Sequence, residues 1–154
     1  MITVTLKDIW ELINHFWKKS AVNVRDKRIA NELIQTLNLI ETQYLLEHRA
    51  HIPGFNYNLI APIDDYLGKV SNESYSFNNR TLSEKFNDFT ARLKQYRELT
   101  SRTMIHENGF FILPESKKKE IPDKREEELN TKARDSFREL KKLLAYLRKK
   151  EIME

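Results

Sequence analysis

Residues 124–152 read KREEELNTKARDSFRELKKLLAYLRKKEI. Leu129, Ala133, Phe137, Leu140, Leu144 and Leu147 recur every three or four positions, so on a helix they share one face. Glu126, Glu127 and Glu128 crowd the first turn, and Arg148, Lys149 and Lys150 lie near the last, the charge order that the helix dipole favours. Asp123 stands where it can cap the helix, with Glu126 three residues on. Pro122 resists helix on its N-terminal side. The stretch is an amphipathic helix whose apolar seam requires a partner surface.

Three further segments supply such surfaces. Over residues 6–19, Leu6, Ile9, Trp10, Ile13, Phe16 and Trp17 are spaced three and four apart, behind a Thr5–Asp8 pair close to a capping box. Over 24–49 the stripe is Ile29, Ala30, Leu33, Ile34, Leu37, Ile40, Tyr44 and Leu45, widened by Leu39 and Leu46. Pro53-Gly54 stops its continuation. Over 82–107, Leu82, Phe86, Phe89, Leu93, Tyr96, Thr100 and Met104 repeat with the helical period. Thr81 or Ser83 can cap this helix, and Asn108-Gly109 reads as its stop. The fold class expected is therefore all-α: one helical domain over residues 1–154, a bundle of four main helices.

Two connections stand apart. Residues 51–80 form a long aromatic- and Asn-rich connection between the second and third helices, with Phe55, Tyr57, Tyr66, Tyr75 and Phe77 among Asn56, Asn58, Asn72, Asn78 and Asn79. Pro62 followed by Asp64 and Asp65 predicts one short helix over Pro62 to Val70, and the remainder reads as a cover held by aromatics. Residues 110–121 begin with Phe110-Phe111-Ile112-Leu113, expected under a helix end. They then turn polar at Pro114 and Lys117-Lys118-Lys119.

Composition narrows the classes. The chain has 154 residues, 40% of them hydrophobic and 32% charged, with three Gly and four Pro. A chain of this length can bury a full core, and its charge falls short of the disordered class. Without Cys there is no disulfide, thiolate metal site or cysteine nucleophile. No apolar run nears the ~20 residues that span a bilayer, and Met1-Ile2-Thr3-Val4-Thr5 lacks the basic region of a signal peptide. A cytoplasmic, bacterial protein is the expectation.

Few constellations suit chemistry. His48 and His51 are three apart on one side of a helix end and can share a metal. A site would need a further ligand such as His106 or Glu107, and no Glu-x-x-His pair repeats on a second helix. The alternative is two exposed imidazoles at a helix C-terminus, and no metal or other cofactor is expected. Arg102 and His106 are four apart. The ribonuclease families that carry a helical Arg–His pair place more residues between them, and one residue of slip turns the ring about 100° around the helix. The pair reads as an ordinary helix-end pair. No nucleophile elbow or phosphate-binding Gly-rich loop is present. Asp64-Asp65 reads as the acidic first turn of the short helix.

The net charge is +4. Basic residues gather at Lys18, Lys19, Arg25, Lys27 and Arg28, and along the last helix. There Lys141, Lys142, Arg148, Lys149 and Lys150 are the candidates for contacting nucleic acid, although Asp135 and Glu139 make that face look mixed. Trp10 and Trp17, seven apart, are core or partner anchors. The expectation is a non-catalytic interaction or regulatory protein with a protein partner or self-association. The alternative is a nucleic-acid-binding accessory protein, and a small nuclease or metal-dependent enzyme ranks third.

Overall fold

The computed structural model describes residues 6–9, 22–47, 54–114 and 124–152. Residues 6–9 are helical. The remainder of the helix expected over 6–19, with Trp10 and Trp17, lies outside the described residues, as do Lys18, Lys19, His48, His51, Pro122 and Asp123.

Helix α1 (Val24–Leu37) begins where Asn23 accepts the Asp26 backbone N–H at 2.8 Å. The helix expected over 24–49 does not run through. Asn38 adopts the left-handed conformation (φ 49°, ψ 84°), and α2 (Leu39–Glu47) restarts immediately after it. Asn tolerates that region better than other side-chain-bearing residues, and the Thr42 hydroxyl binds the Leu37 carbonyl that the break releases. The break also resets the phase of the stripe. Leu45 and Leu46 are buried, while Ile40 and Tyr44, expected inside, are 84% and 51% exposed.

Residues 54–80, expected as a cover, have regular structure of their own. Helix α3 (Ala61–Val70) carries Pro62 in its first turn. Two short 3-10 turns lie at Tyr57–Leu59 and Glu73–Tyr75. Three of the five Asn residues here are caps. Asn56 accepts from the Asn58 N–H and Asn72 from the Ser74 N–H. Asn79, not Thr81 or Ser83, caps α4 (Arg80–Thr103) by accepting from the Leu82 N–H at 2.9 Å. All seven stripe positions expected for this helix are buried.

Helix α4 stops at Thr103, four residues short of the expected end, and the chain changes structure. Ile105–Glu107 (β2) and Phe110–Ile112 (β3) form an antiparallel hairpin, which Phe55–Asn56 (β1) joins on the far side of β3. Asn108 (φ 51°) and Gly109 (φ 80°) turn that hairpin with both residues at positive φ, the geometry that right-twisted strands favour for a two-residue loop. Gly54 lies at φ 121°, where a Cβ would collide with the Phe111 carbonyl oxygen, so β1 reaches β3 only through a glycine.

Helix α5 (Lys124–Lys149) buries Leu129, Ala133, Leu140, Leu143, Leu144 and Leu147, with Phe137 half-buried. Its first turns lie beside the last turns of α4, where Glu128 and Lys132 face Leu99 and Arg102, so the two long helices run antiparallel. Beyond Lys149 the Ile152 N–H bonds the Leu147 carbonyl, and Glu151 stands at φ 56°, a C-terminal cap built without glycine. Asn31 on α1 donates to the Ile152 carbonyl and ties this end down. The protein is mostly helical with a small three-stranded sheet, and among the described residues buried side chains from α1 to α5 and from the sheet form one cluster.

Candidate functional site

The sheet has two unlike faces. Strand register places Phe55, Phe111 and His106 on one side. Phe111 stacks on Phe55 at 5.4 Å between centroids and on His106 at 4.8 Å and 2°, and Tyr57 stacks on His106 at 5.4 Å. Phe55 and Phe111 are buried, and the ladder opens to solvent at His106 and Tyr57. Behind it lies Arg97, whose guanidinium sits 5.4 Å from the Phe111 ring centroid, a cation–π distance. Arg97 also donates to both Asp64 carboxylate oxygens, at 2.6 and 3.2 Å, and to the hydroxyls of Thr100 and Ser101. Four of its five N–H groups are thereby committed. This node joins α3, α4 and β3, and it holds structure together where a substrate-binding Arg would keep its fork free.

Asp64 is thus more than a first-turn acid. The sequence does not show this, because its partner lies thirty-three residues away. Arg102 and His106 do not share a helix: Arg102 lines a shallow cleft of about 240 Å³ between α4 and α5, and His106 lies on β2. Among the described residues no three His, Asp or Glu side chains are placed to hold a metal ion.

Asp26 is fully buried. Its two carboxylate oxygens accept the backbone N–H groups of Asn78 and Asn79, each at 2.9 Å. It joins the start of α1 to the start of α4. Tyr66 and Tyr96 are also buried, and burial pushes both phenols well above the ordinary value of 10, because a phenolate there would lose its hydration. The Tyr66 hydroxyl shares a 2.8 Å hydrogen bond with Thr90. Of the cover's aromatics, Phe55 and Tyr66 are buried and Tyr75 and Phe77 pack partly buried against the core, with Tyr57 37% exposed.

Two surfaces remain. On the outer face of the sheet the cross-strand pair Ile105 and Ile112 stands beside Phe110, and the three are 52%, 37% and 47% exposed. The second surface is the outer side of α5, where Arg134, Arg138, Lys141, Lys142, Arg148 and Lys149 are all exposed. No protein-family model, curated protein or solved structure matches this chain.

The two surfaces stand on their own geometry. Of the basic residues named from sequence, Lys141, Lys142, Arg148 and Lys149 lie on the outer side of α5. Lys150 is exposed just past its end. Arg134 and Arg138, basic residues that the sequence also places on this helix, complete that surface. Asp135 and Glu139 are only 28% and 23% exposed, at the margin of the face. A second cleft, about 250 Å³, lies under the 3-10 turn between Asn72, Tyr75, Phe77, Phe86 and Thr90. No helix of the described residues is long and apolar enough to cross a membrane.

Proposed function

We propose that this is a non-catalytic interaction protein, and that its contact surface is the outer face and open edge of the small sheet. The observation that supports the reading is the adjacent exposure of Ile105, Phe110 and Ile112 on a hairpin whose inner face is anchored to α3 and α4 through Phe111 and Arg97. Isolated exposed apolar residues are ordinary, but three neighbours on one rigid face are a contact patch on a small scale. The polar groups that chemistry would draw on, Asp26, Asp64 and Arg97, are engaged in holding elements together.

The occupant is a second copy of the chain. Strand β2 is at the edge of the sheet, and an edge strand offers a row of backbone donors and acceptors to another strand. Antiparallel pairing of β2 with its own copy is self-complementary under two-fold symmetry. It would join two three-stranded sheets and set the Ile105–Ile112–Phe110 patches next to one another. The apolar seam of α5 is not an alternative route, since its residues are already buried inside the fold. A stable interface covers about 800 Å² per partner; a single hairpin face is smaller, so the association proposed is a weak one.

Sedimentation of the purified chain over 1–200 μM (roughly the span in which such weak interfaces titrate) tests the reading. A monomer–dimer equilibrium removed by Phe110→Asp supports it. A monomer throughout contradicts it.

A further inference from the structure

The charge of this protein is not spread evenly. Between residues 131 and 149 there are seven basic and two acidic residues, a larger excess than the net +4 of the whole chain. Helix geometry then sorts them. Arg134, Arg138, Lys141 and Arg148 follow one another at spacings of four, three and seven, so they share one line along α5, with Ala145 in the gap. Lys142 and Lys149, seven apart, flank the line. The two acids of this stretch sit to one side, half-buried, at 3.6 Å from Arg138 and 3.4 Å from Lys142. Among the described residues no carboxylate lies within ion-pair distance of Arg134, Lys141, Arg148 or Lys149. The row from Arg134 to Lys149 spans fifteen steps of ~1.5 Å, about 22 Å.

We infer that the outer face of α5 binds the sugar–phosphate backbone of duplex nucleic acid. A straight row of cations on a rigid helix suits a polymer that carries one phosphate charge per ~1.7 Å of duplex axis. Three of the row are arginines, whose planar forks match phosphate oxygens. A membrane surface is a poorer match. An interfacial helix inserts its apolar face, and the apolar face of α5 is buried against the rest of the fold. A single strand is also a poorer match, because such sites add exposed aromatics for base stacking, whereas Phe137 and Tyr146 are only partly exposed and pack on the core. The exposed row contains no Asn or Gln, so contact is to phosphates and carries little sequence preference.

This surface is separate from the sheet face, so the two proposals fail independently. The experiment is fluorescence anisotropy of a labelled 20-base-pair DNA duplex (about two helical turns) with the full chain at increasing salt. Four phosphate contacts predict a slope of about −3.6 in log K against log salt, a loss on the order of 10²-fold between 50 and 200 mM. The double reversal Lys141→Glu/Arg148→Glu abolishes binding. Arg92→Glu/Lys94→Glu, exposed on α4, makes the same change in net charge and keeps binding within a few-fold. Circular dichroism checks that both variants fold. Retention of binding by Phe110→Asp separates this site from self-association. Any one of four results overturns the inference: no duplex binding at 50 mM salt, equal loss in both reversals, tighter binding of the single strand, or binding of anionic phosphatidylserine vesicles without binding of duplex.

Discussion

Arg97 on α4 grips Asp64 on α3 with two parallel hydrogen bonds, 2.6 and 3.2 Å long, while the same guanidinium lies over the ring of Phe111 on β3. One side chain thereby fixes the cover helix α3 and the sheet to α4. The arrangement depends on a planar fork: an ammonium in the same place can reach one carboxylate oxygen and cannot lie flat over the ring.

Arg97→Lys should therefore cost stability although the charge is kept. The pair is partly buried, with side-chain exposures of 19% and 33%. A bidentate pair in that setting is expected to couple by about 1–2 kcal/mol in a double-mutant cycle with Asp64→Ala. Urea denaturation of the four proteins measures it. A coupling near zero would show that the fork is incidental.

Asp26→Ala removes the acceptor for two backbone N–H groups, the buried one of Asn79 and the part-buried one of Asn78. A buried donor left without a partner costs about 1–3 kcal/mol, and the more exposed Asn78 N–H costs less. The variant is expected to lose roughly 2–4 kcal/mol, with water entering to relieve part of the penalty. Amide exchange should rise first at Asn78 and Asn79.

Alkaline pH provides a third check. Tyr66 and Tyr96 are held above the ordinary phenol value of 10 in the folded state by burial. Below pH 10 both are neutral, folded or unfolded, and they add no pH dependence. Above it the unfolded chain ionises while the folded one resists, so stability falls as pH rises, by up to about 1.4 kcal/mol per unit for each tyrosine. Denaturation midpoints at pH 9 and 11 should separate more in the native sequence than in Tyr66→Phe/Tyr96→Phe. Equal separations would mean that these phenols ionise freely.

The long-range parts of this fold are the ones that sequence periodicity conveys least. The stripes of α4 and α5 are legible because each residue's neighbours three and four positions away share its burial. The break at Asn38 is not, since the apolar pattern continues across it while the backbone turns the later half. Asn108-Gly109 suits both a helix stop and a tight hairpin turn, for the same reason of positive φ. The alternation of Ile105, His106 and Glu107 opposite Phe110, Phe111 and Ile112 favours the hairpin, but Met104 prolongs the helical period past Thr103. Asp26 and Asp64 gain their partners only through the fold. The row on α5 was written in the sequence, and the half-burial of Asp135 and Glu139 is what isolates it.

Sedimentation velocity across 1–200 μM (roughly the span in which weak interfaces titrate) tests whether the sheet's outer face and edge join two copies of the chain. Self-association through β2 gives a dimer that grows with concentration and is lost in Phe110→Asp without loss of helical signal. A chain that stays monomeric at every concentration would contradict it, as would a dimer indifferent to Phe110→Asp.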